Sequence, residues 1–188
     1  AVTFTNKAAR EMRDRLNSLL NSVEQSVTVS TFHSFCAMLL RREGHHIALD
    51  SDFSIYDDSD QIALIKLAMK ELNIDPKKFP IRSIQSSISS AKSQLISLEG
   101  FGLARKNNFD ELVYQVYEKY ERNLLKNSAL DFDDLLLKTY FLLSKFPDVS
   151  EKYQNRYVQL MIDEFQDTNV AQYAIAKHLS SKHRNLCV

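Results

Sequence analysis

Two adjacent carboxylates follow directly after a hydrophobic segment near the end of the chain. Residues 157–162 (YVQLMI) have the composition of a buried strand, and Asp163 and Glu164 come next. In open α/β sheets, ligands bind at the carboxyl ends of the strands. One carboxylate of such a pair can hold Mg²⁺ on nucleotide phosphates, and its neighbour can orient or deprotonate an attacking water. The alternative is an Asp-Glu pair that only joins a strand to a helix.

A second candidate site lies where the first predicted strand meets the first predicted helix. In residues 3–9 (TFTNKAA) the strand ends in Phe4, and the helix starts with the hydroxyl of Thr5 and the amide of Asn6. The free N–H groups of a helix N-terminus bind phosphate, and an aromatic ring beside them can stack on an unpaired base, worth about 1–3 kcal/mol per base. In the alternative interpretation the helix is simply capped and Phe4 belongs to the core.

A third junction of this kind occurs at residues 31–36 (TFHSFC). Thr31, His33 and Ser34 are available to phosphates at the start of the next predicted helix. His33 and Cys36 stand three residues apart, which also suits two metal ligands, but the sequence has no second pair with ligand spacing, and this argues against zinc. A buried and unreactive Cys36 is the simpler interpretation.

Three acids fall close together in residues 129–136 (ALDFDDLL). A metal site is one interpretation of such a cluster. Asp131, however, fits the N-cap of a helix, and Asp133 and Asp134 suit the positive end of that helix's dipole. We therefore favour helix capping over metal binding for this segment.

The composition limits the kind of protein this can be. The chain has 188 residues, and its 24 Lys and Arg balance its 24 Asp and Glu, so net charge argues neither for nor against nucleic acid. Only three glycines are present, and no GxxxxGK[ST] phosphate loop can be written with them. Two distant cysteines indicate reduced thiols in a cytoplasmic protein. No apolar run approaches the roughly 20 residues needed to span a membrane.

Strand and helix signals alternate at both ends of the chain, with helix between them. Residues 34–156 have helical periodicity almost throughout, and caps are expected at Asp58, Asn108 and Asp131. We predict an α/β fold with a large all-helical insertion, predominantly helical overall. Within the insertion, residues 77–106 carry six basic residues against one acid, which usually indicates a solvated surface. The predicted strands are 2–4, 27–32, 157–162 and 186–188.

These segments, in this order, resemble motifs of the UvrD/Rep/PcrA family of superfamily 1 DNA helicases. Residues 3–12 (TFTNKAAREM) look like motif Ia, and residues 31–34 (TFHS) look like motif Ib. Residues 163–169 (DEFQDTN) look like motif II, the Walker B sequence. Residues 130–136 (LDFDDLL) match the stretch that precedes motif II, most closely in the PcrA branch. The resemblance spans the whole chain.

The resemblance implies an ATP-driven 3′→5′ translocase that separates duplex DNA in repair or replication. It implies that Asp163 holds Mg²⁺ and that Glu164 activates the hydrolytic water. Gln166 would belong to the same catalytic set, and Gln166 and Asp167 would link the nucleotide site to neighbouring motifs. The residues implied to lie along single-stranded DNA are Phe4, Thr5, Asn6, Thr31 and His33.

The resemblance also implies a domain organisation. Residues 1–33 and 157–188 would form part of a RecA-like (P-loop NTPase) motor domain with a parallel sheet. Residues 34–156 would form an inserted helical accessory subdomain near the junction of single-stranded and duplex DNA. The basic residues between 77 and 106 would then have a use in DNA binding.

Two departures from the family pattern shape the expected behaviour of these 188 residues. The family's Walker A loop precedes motif Ia, and a second RecA-like domain follows later; neither is present here. We therefore expect this polypeptide neither to bind or hydrolyse ATP with Mg²⁺ nor to unwind DNA. We also expect its parallel sheet to be incomplete, with edges that fray or pair between copies.

Two other functions stay open at this point. One is the helicase portion of a helicase–nuclease of the AddA or RecB type, which shares motifs Ia and II. The other is a non-catalytic helical module that binds DNA or protein and retains motor-like motifs.

Overall fold

The computed structural model describes residues 1–19 and 27–188 and is mostly helical, as predicted. No α-helix in this part of the chain is long and apolar enough to cross a membrane. The helices are Asn6–Leu19 (α1), Phe32–Glu43 (α2), Asp58–Glu71 (α3), Ile81–Ser93 (α4), Leu98–Ala104 (α5), Asn108–Lys126 (α6), Phe132–Lys145 (α7), Pro147–Arg156 (α8) and Val170–Ser180 (α9). The strands are Val2–Thr3 (β1), Ser30–Thr31 (β2), Ser54–Tyr56 (β3), Ala129–Asp131 (β4), Leu160–Met161 (β5) and Leu186–Cys187 (β6).

Four strands from the two chain ends form one parallel arrangement in the order β2–β1–β5–β6. Val2 pairs with Ser30, Leu160 pairs with Leu186, and a bridge between Val2 and Ile162 joins the two pairs. The strands are shorter than predicted: β1 pairs with β2 over two residues, and β5 pairs with β6 over two residues. No gap separates these described strands, so a further strand can join the arrangement only beside β2 or β6.

Helices α2, α7, α8 and α9 pack around this sheet and form the first hydrophobic core. Helix α7 is central, because it contacts both α2 and α9. Apolar side chains at helical spacing give each helix one face toward the sheet. Buried members of this core include Phe32, Phe35, Leu39, Leu40, Leu135, Leu142, Tyr153, Ile162 and Ile175.

Helices α3, α4 and α6 form a second hydrophobic core. The parallel pair β3–β4 lies where the two cores meet, since Ala129 belongs to the second core and Leu130 to the first. The prediction that residues 34–156 are all helical was wrong at these strands. Their pairing joins segments far apart in sequence, so local periodicity gave no sign of it. Buried members of the second core include Ile65, Met69, Ile84, Ile88, Val113, Val116, Tyr117, Tyr120 and Leu124.

Two helix caps lie one residue earlier than predicted. Asp57, not Asp58, caps α3, and Asn107, not Asn108, caps α6. In both places two adjacent polar residues qualify as caps. The first of each pair has an extended backbone, and this lets its side chain accept hydrogen bonds from the first N–H groups of the helix.

The two cysteines lie in opposite environments. Cys36 is completely buried in α2, and burial raises the pKa of its thiol to about 12. Cys187 lies exposed on β6. Cys36 is therefore a core residue rather than a reactive thiol.

Candidate functional site

The carboxyl ends of β2, β1 and β5 lie side by side at one edge of the sheet. Thr3 pairs with Thr31 of β2, and the bridge between Val2 and Ile162 brings Asp163 beside Thr3 on the other side. The segments that follow these strands therefore start from the same edge. The predicted site residues that they carry are Phe4, Thr5 and Asn6 after β1, His33 after β2, and Glu164, Gln166 and Asp167 after β5.

Asp163 is held in place by the first strand. Its backbone N–H donates to the carbonyl of Val2 at 2.9 Å, and its Oδ2 accepts a hydrogen bond from Thr3 Oγ1 at 3.0 Å. Thr3 is buried, whereas Asp163 is only partly buried. The hydroxyl thus fixes a carboxylate that stays accessible. Sequence reasoning missed the role of Thr3; the available signal was a hydroxyl on a buried strand, since such a group needs a partner.

Glu164 lies exposed just beyond the sheet edge. Its backbone is in the left-handed region with φ at 52°, which costs a residue with a side chain about 1–2 kcal/mol. The N–H of Asp167 donates to the Glu164 carbonyl at 3.0 Å and closes a turn, and Gln166 Nε2 donates to Glu164 Oε2. Gln166 and Glu164 therefore form one side-chain pair, and Asp167 extends from the same turn toward solvent.

The oxygen atoms of this edge suit a hard divalent cation. Mg²⁺ prefers oxygen ligands, keeps several of its waters, and uses one or two protein carboxylates together with substrate phosphates. Across residues 1–19 and 27–188, no three His, Cys, Asp or Glu side chains converge so that they could hold a metal by themselves. Asp163, accessible and fixed by Thr3, therefore fits a Mg²⁺ shared with a ligand better than a closed protein-only centre.

The start of α1 is open to solvent. Phe4 is 41% exposed, so the alternative that places its ring in the core is wrong. Thr5 Oγ1 accepts a hydrogen bond from the N–H of Ala8 at 3.1 Å and caps the helix, as predicted. Asn6 is exposed in the first turn. An aromatic ring, an amide and helix N–H groups thus stand together on one surface.

The start of α2 is less open. Thr31 is buried, and its Oγ1 caps the helix by accepting from the N–H of Ser34 at 3.2 Å. His33 is partly buried, and burial lowers its pKa. Its ring meets the ring of Phe132 edge to face, with 5.6 Å between the centroids. Phe132 is 43% exposed, and sequence reasoning missed it because its neighbours indicated only a helix cap.

The acidic stretch at the start of α7 is closed by a buried lysine. Lys92 of α4 is fully buried, and its Nζ lies 2.8 Å from Asp131 Oδ2, 2.8 Å from Asp134 Oδ1 and 2.7 Å from Glu121 Oε1. Tyr120 Oη also donates to Asp131 Oδ2, at 2.8 Å. These five residues are called the Lys92 network below. The expectation of a solvated surface was wrong for Lys92.

The same contacts decide between capping and metal binding at this stretch. Asp131 Oδ1 accepts from the N–H of Asp134 at 2.7 Å, and Asp134 Oδ2 accepts from the N–H of Asp131 at 3.2 Å. The predicted cap is therefore confirmed as a reciprocal capping box. The remaining oxygen of each aspartate lies 2.8 Å from the Lys92 ammonium, so a cation already occupies the position that a metal would take.

Burial and charge oppose each other within the Lys92 network. Burial disfavours the charged form of Lys92, but the surrounding carboxylates outweigh burial and raise its pKa. Burial and the charge of Asp134 raise the pKa of Asp131 and of Glu121. Burial also acts on Asp134, but Lys92 and Lys138 outweigh it and lower the pKa of that group. The network is thus a set of mutually dependent charges.

The fold and this edge define a class: a mostly helical chain on a small parallel sheet, with a carboxylate pair and an exposed aromatic residue at the strand ends. The model of the UvrD/REP helicase N-terminal domain family matches residues 1–188. The chain therefore belongs to this family, and the resemblance seen in the sequence is confirmed.

Named relatives come from several bacteria, and each matches all 188 residues of the chain. The ATP-dependent DNA helicase PcrA of Bacillus subtilis (strain 168) is 47% identical over 188 residues, which are 25% of that protein. Proteins of the same name are 43% identical in Staphylococcus aureus (strain Mu50) and 42% identical in Staphylococcus epidermidis, each over 26% of the protein. The chain thus spans about a quarter of the length of the curated relatives it matches.

Proposed function

We propose that the full-length protein is an ATP-dependent DNA helicase of the UvrD/PcrA-like type, which moves 3′→5′ on single-stranded DNA in repair or replication. The observation that carries this proposal is the sheet edge: Asp163 is fixed by Thr3, Glu164 is exposed beside it, and Phe4 is exposed after the neighbouring strand. The relatives, which are named ATP-dependent DNA helicases, support it.

On this proposal the carboxylate pair serves ATP hydrolysis. Mg²⁺, when bound, neutralises charge that develops on the transferred phosphoryl group. Asp163 holds the cation, and Thr3 keeps the carboxylate of Asp163 at the edge. Glu164 accepts a proton from the attacking water or orients it. Gln166 donates to Glu164 and restricts that carboxylate, and Asp167 links the same turn to neighbouring elements.

The other half of the edge serves DNA. The exposed ring of Phe4 offers a face for base stacking, and the N-terminus of α1 offers N–H groups to a phosphate. The edge-to-face contact between His33 and Phe132 extends this surface past α2. The proposed DNA track consists of Phe4, Thr5, Asn6, His33 and Phe132, with the buried Thr31 supporting it as the cap of α2.

We further propose the domain organisation that the family suggests. Residues 1–33 and 157–188 belong to a partial RecA-like motor domain, and residues 34–156 to an accessory unit near the DNA junction; residues 20–26 lie outside the described part. The second core supports a separate unit around α3, α4 and α6, whereas α2, α7 and α8 pack on the sheet. In the 188-residue polypeptide the outer strands β2 and β6 can pair with another copy.

The test is the ATPase rate of the full-length protein with Glu164→Gln. We expect kcat with saturating single-stranded DNA to fall about 10²–10⁴-fold, because the group that prepares the water is lost. DNA binding should persist, since the side chain keeps its size. Glu118→Gln is the matched control, because Glu118 only pairs with Arg122 on the surface of α6. A Glu164→Gln enzyme with more than half the control rate would contradict the proposal.

Three further measurements test the expected inactivity of this polypeptide and the two alternative functions. The 188 residues contain no glycine-rich phosphate loop, so this polypeptide alone should show no ATP turnover above that of its own Glu164→Gln variant. A non-catalytic module predicts that the full-length protein has no DNA-stimulated ATPase activity. A helicase–nuclease predicts that the full-length protein degrades DNA in the presence of Mg²⁺.

A further inference from the structure

The Lys92 network joins the second core to the start of α7. Lys92 in α4 and Tyr120 in α6 both contact the carboxylate of Asp131, each at 2.8 Å. Asp131 is the N-cap of α7, and Phe132 is the next residue. Helices α4 and α6 of the second core therefore hold Asp131. The next residue, Phe132, carries an exposed ring at the start of α7, a helix of the first core.

A residue on the other side of Phe132 is held by the same helix. Asp134 Oδ1 lies 2.8 Å from Lys92 Nζ. The backbone of Phe132 is thus fixed from both flanks by α4. A shift of the backbone at Phe132 would require an ion pair between buried groups to break, which is strongly unfavourable.

A network of this kind specifies geometry more than it adds stability. Replacing a buried ion pair with well-packed apolar residues is often neutral or stabilising, and the best-attested use of such pairs is to fix one register. Here one ammonium faces three carboxylates: Glu121 on α6, Asp134 on α7, and Asp131 at the N-cap of α7. These three contacts form together when α4, α6 and α7 have the relative positions seen in this structure.

We propose that Lys92 is a positioning residue for single-stranded DNA. By fixing Asp131 and Asp134, it sets the exposed ring of Phe132 against His33 so that an unpaired base meets both rings. This inference rests on the proposed function. On this inference the second core influences the DNA track through Lys92, whose side chain is fully buried and does not contact DNA.

The test is a double-mutant cycle in the full-length protein, read out as the DNA concentration that half-saturates ATPase stimulation by oligo(dT). Phe132→Ala should raise this concentration about tenfold, as expected for one lost base-stacking contact. Lys92→Met should raise it about three- to tenfold. The double variant should be no worse than Phe132→Ala, because the two changes remove the same contact. At saturating DNA, the kcat of Lys92→Met should stay within about twofold of the wild type.

The matched control is Lys119→Met, which removes a partly exposed ion pair with Glu71 in the same core and leaves α7 untouched. It should leave half-saturation unchanged. If Lys92→Met lacks a cooperative thermal transition, Tyr120→Phe replaces it, since this variant removes only the hydrogen bond to Asp131. A rise of about twofold that vanishes in the Phe132→Ala background would support the inference.

Additive effects of Lys92→Met and Phe132→Ala would overturn the inference, as would a lowered kcat with unchanged half-saturation. The outcome also separates this inference from the proposed function. If Phe132→Ala weakens DNA stimulation but Lys92→Met and Tyr120→Phe do not, only the positioning role fails. If Phe132→Ala and Phe4→Ala both leave DNA stimulation unchanged, the DNA track itself is wrong.

Discussion

Two acidic stretches of this chain look alike in sequence and have opposite environments. Residues 131–134 (DFDD) and residues 163–167 (DEFQD) each lie at the end of a short parallel strand and open a helical segment. In the first, buried Lys92 pairs with the carboxylates. In the second, β1 brings only the hydroxyl of Thr3, and the acids stay accessible. What a distant segment brings to an acidic motif decides whether the motif is structural or able to bind a ligand.

The largest expected difference between the two stretches is in stability. Lys92→Met should lower the free energy of unfolding by about 3–5 kcal/mol, because it leaves buried carboxylates without a counter-charge. Asp163→Asn, which keeps an oxygen for Thr3, should change it by less than about 1 kcal/mol. Urea-induced unfolding of the two variants measures both values. Equal losses would show that the two stretches are not physically distinct.

A pH series sharpens the same comparison. Without Lys92, burial should raise the folded-state pKa of Asp131, Asp134 and Glu121, because the charge that lowers each one is gone. A raised pKa contributes stability below the unfolded-state value of about 4 and loses it as the pH rises through the folded-state pKa.

The loss of unfolding free energy in Lys92→Met relative to wild type should therefore be smallest near pH 4, where the carboxyl groups are protonated. It should be largest near pH 7, where they are ionised. In the wild type the dependence should be flatter, since the pKa of Asp131 and Asp134 shift in opposite directions. The unfolding free energies of both proteins across this range give the comparison. A deficit that is constant with pH would mean that the carboxylates are not coupled to Lys92.

The smallest expected effect concerns the backbone. The first stretch enters α7 through a regular capping box, whereas the second passes through Glu164 with φ at 52°. Glu164→Gly should be more stable than Glu164→Ala by about 1 kcal/mol, because glycine adopts this conformation without steric strain. Thermal unfolding of the two variants tests it. A more stable alanine variant would rule out strain at this turn.

The sequence predicted correctly those features whose signal lies within a few consecutive residues. The pair Asp163 and Glu164 after a hydrophobic strand, the cap at Asp131 and the helical periodicity each occupy a few consecutive residues, and the structure has each of them. Such signals depend on neighbours within one or two turns, so they can be recognised without knowing the tertiary fold.

The sequence did not predict features that depend on contacts with residues far away in the chain. Lys92 and Asp131 are 39 residues apart, so nothing near Lys92 showed that it would be buried. The pairing of β3 with β4 and the bond from Thr3 to Asp163 have the same character. The exposure of Phe132 depends on how α2 and α7 pack, and the residues next to it indicate only the helix cap.

The unlike surroundings of the two thiols make β6 a natural attachment point for a spectroscopic label. Within this chain a maleimide dye should modify Cys187 and spare Cys36, whose thiol is buried and hard to ionise. The carbonyl of Cys187 accepts the N–H of Ile162 at 2.9 Å, and Ile162 is the residue before Asp163. A fluorophore there would sit one strand away from the carboxylate pair and report on its occupancy.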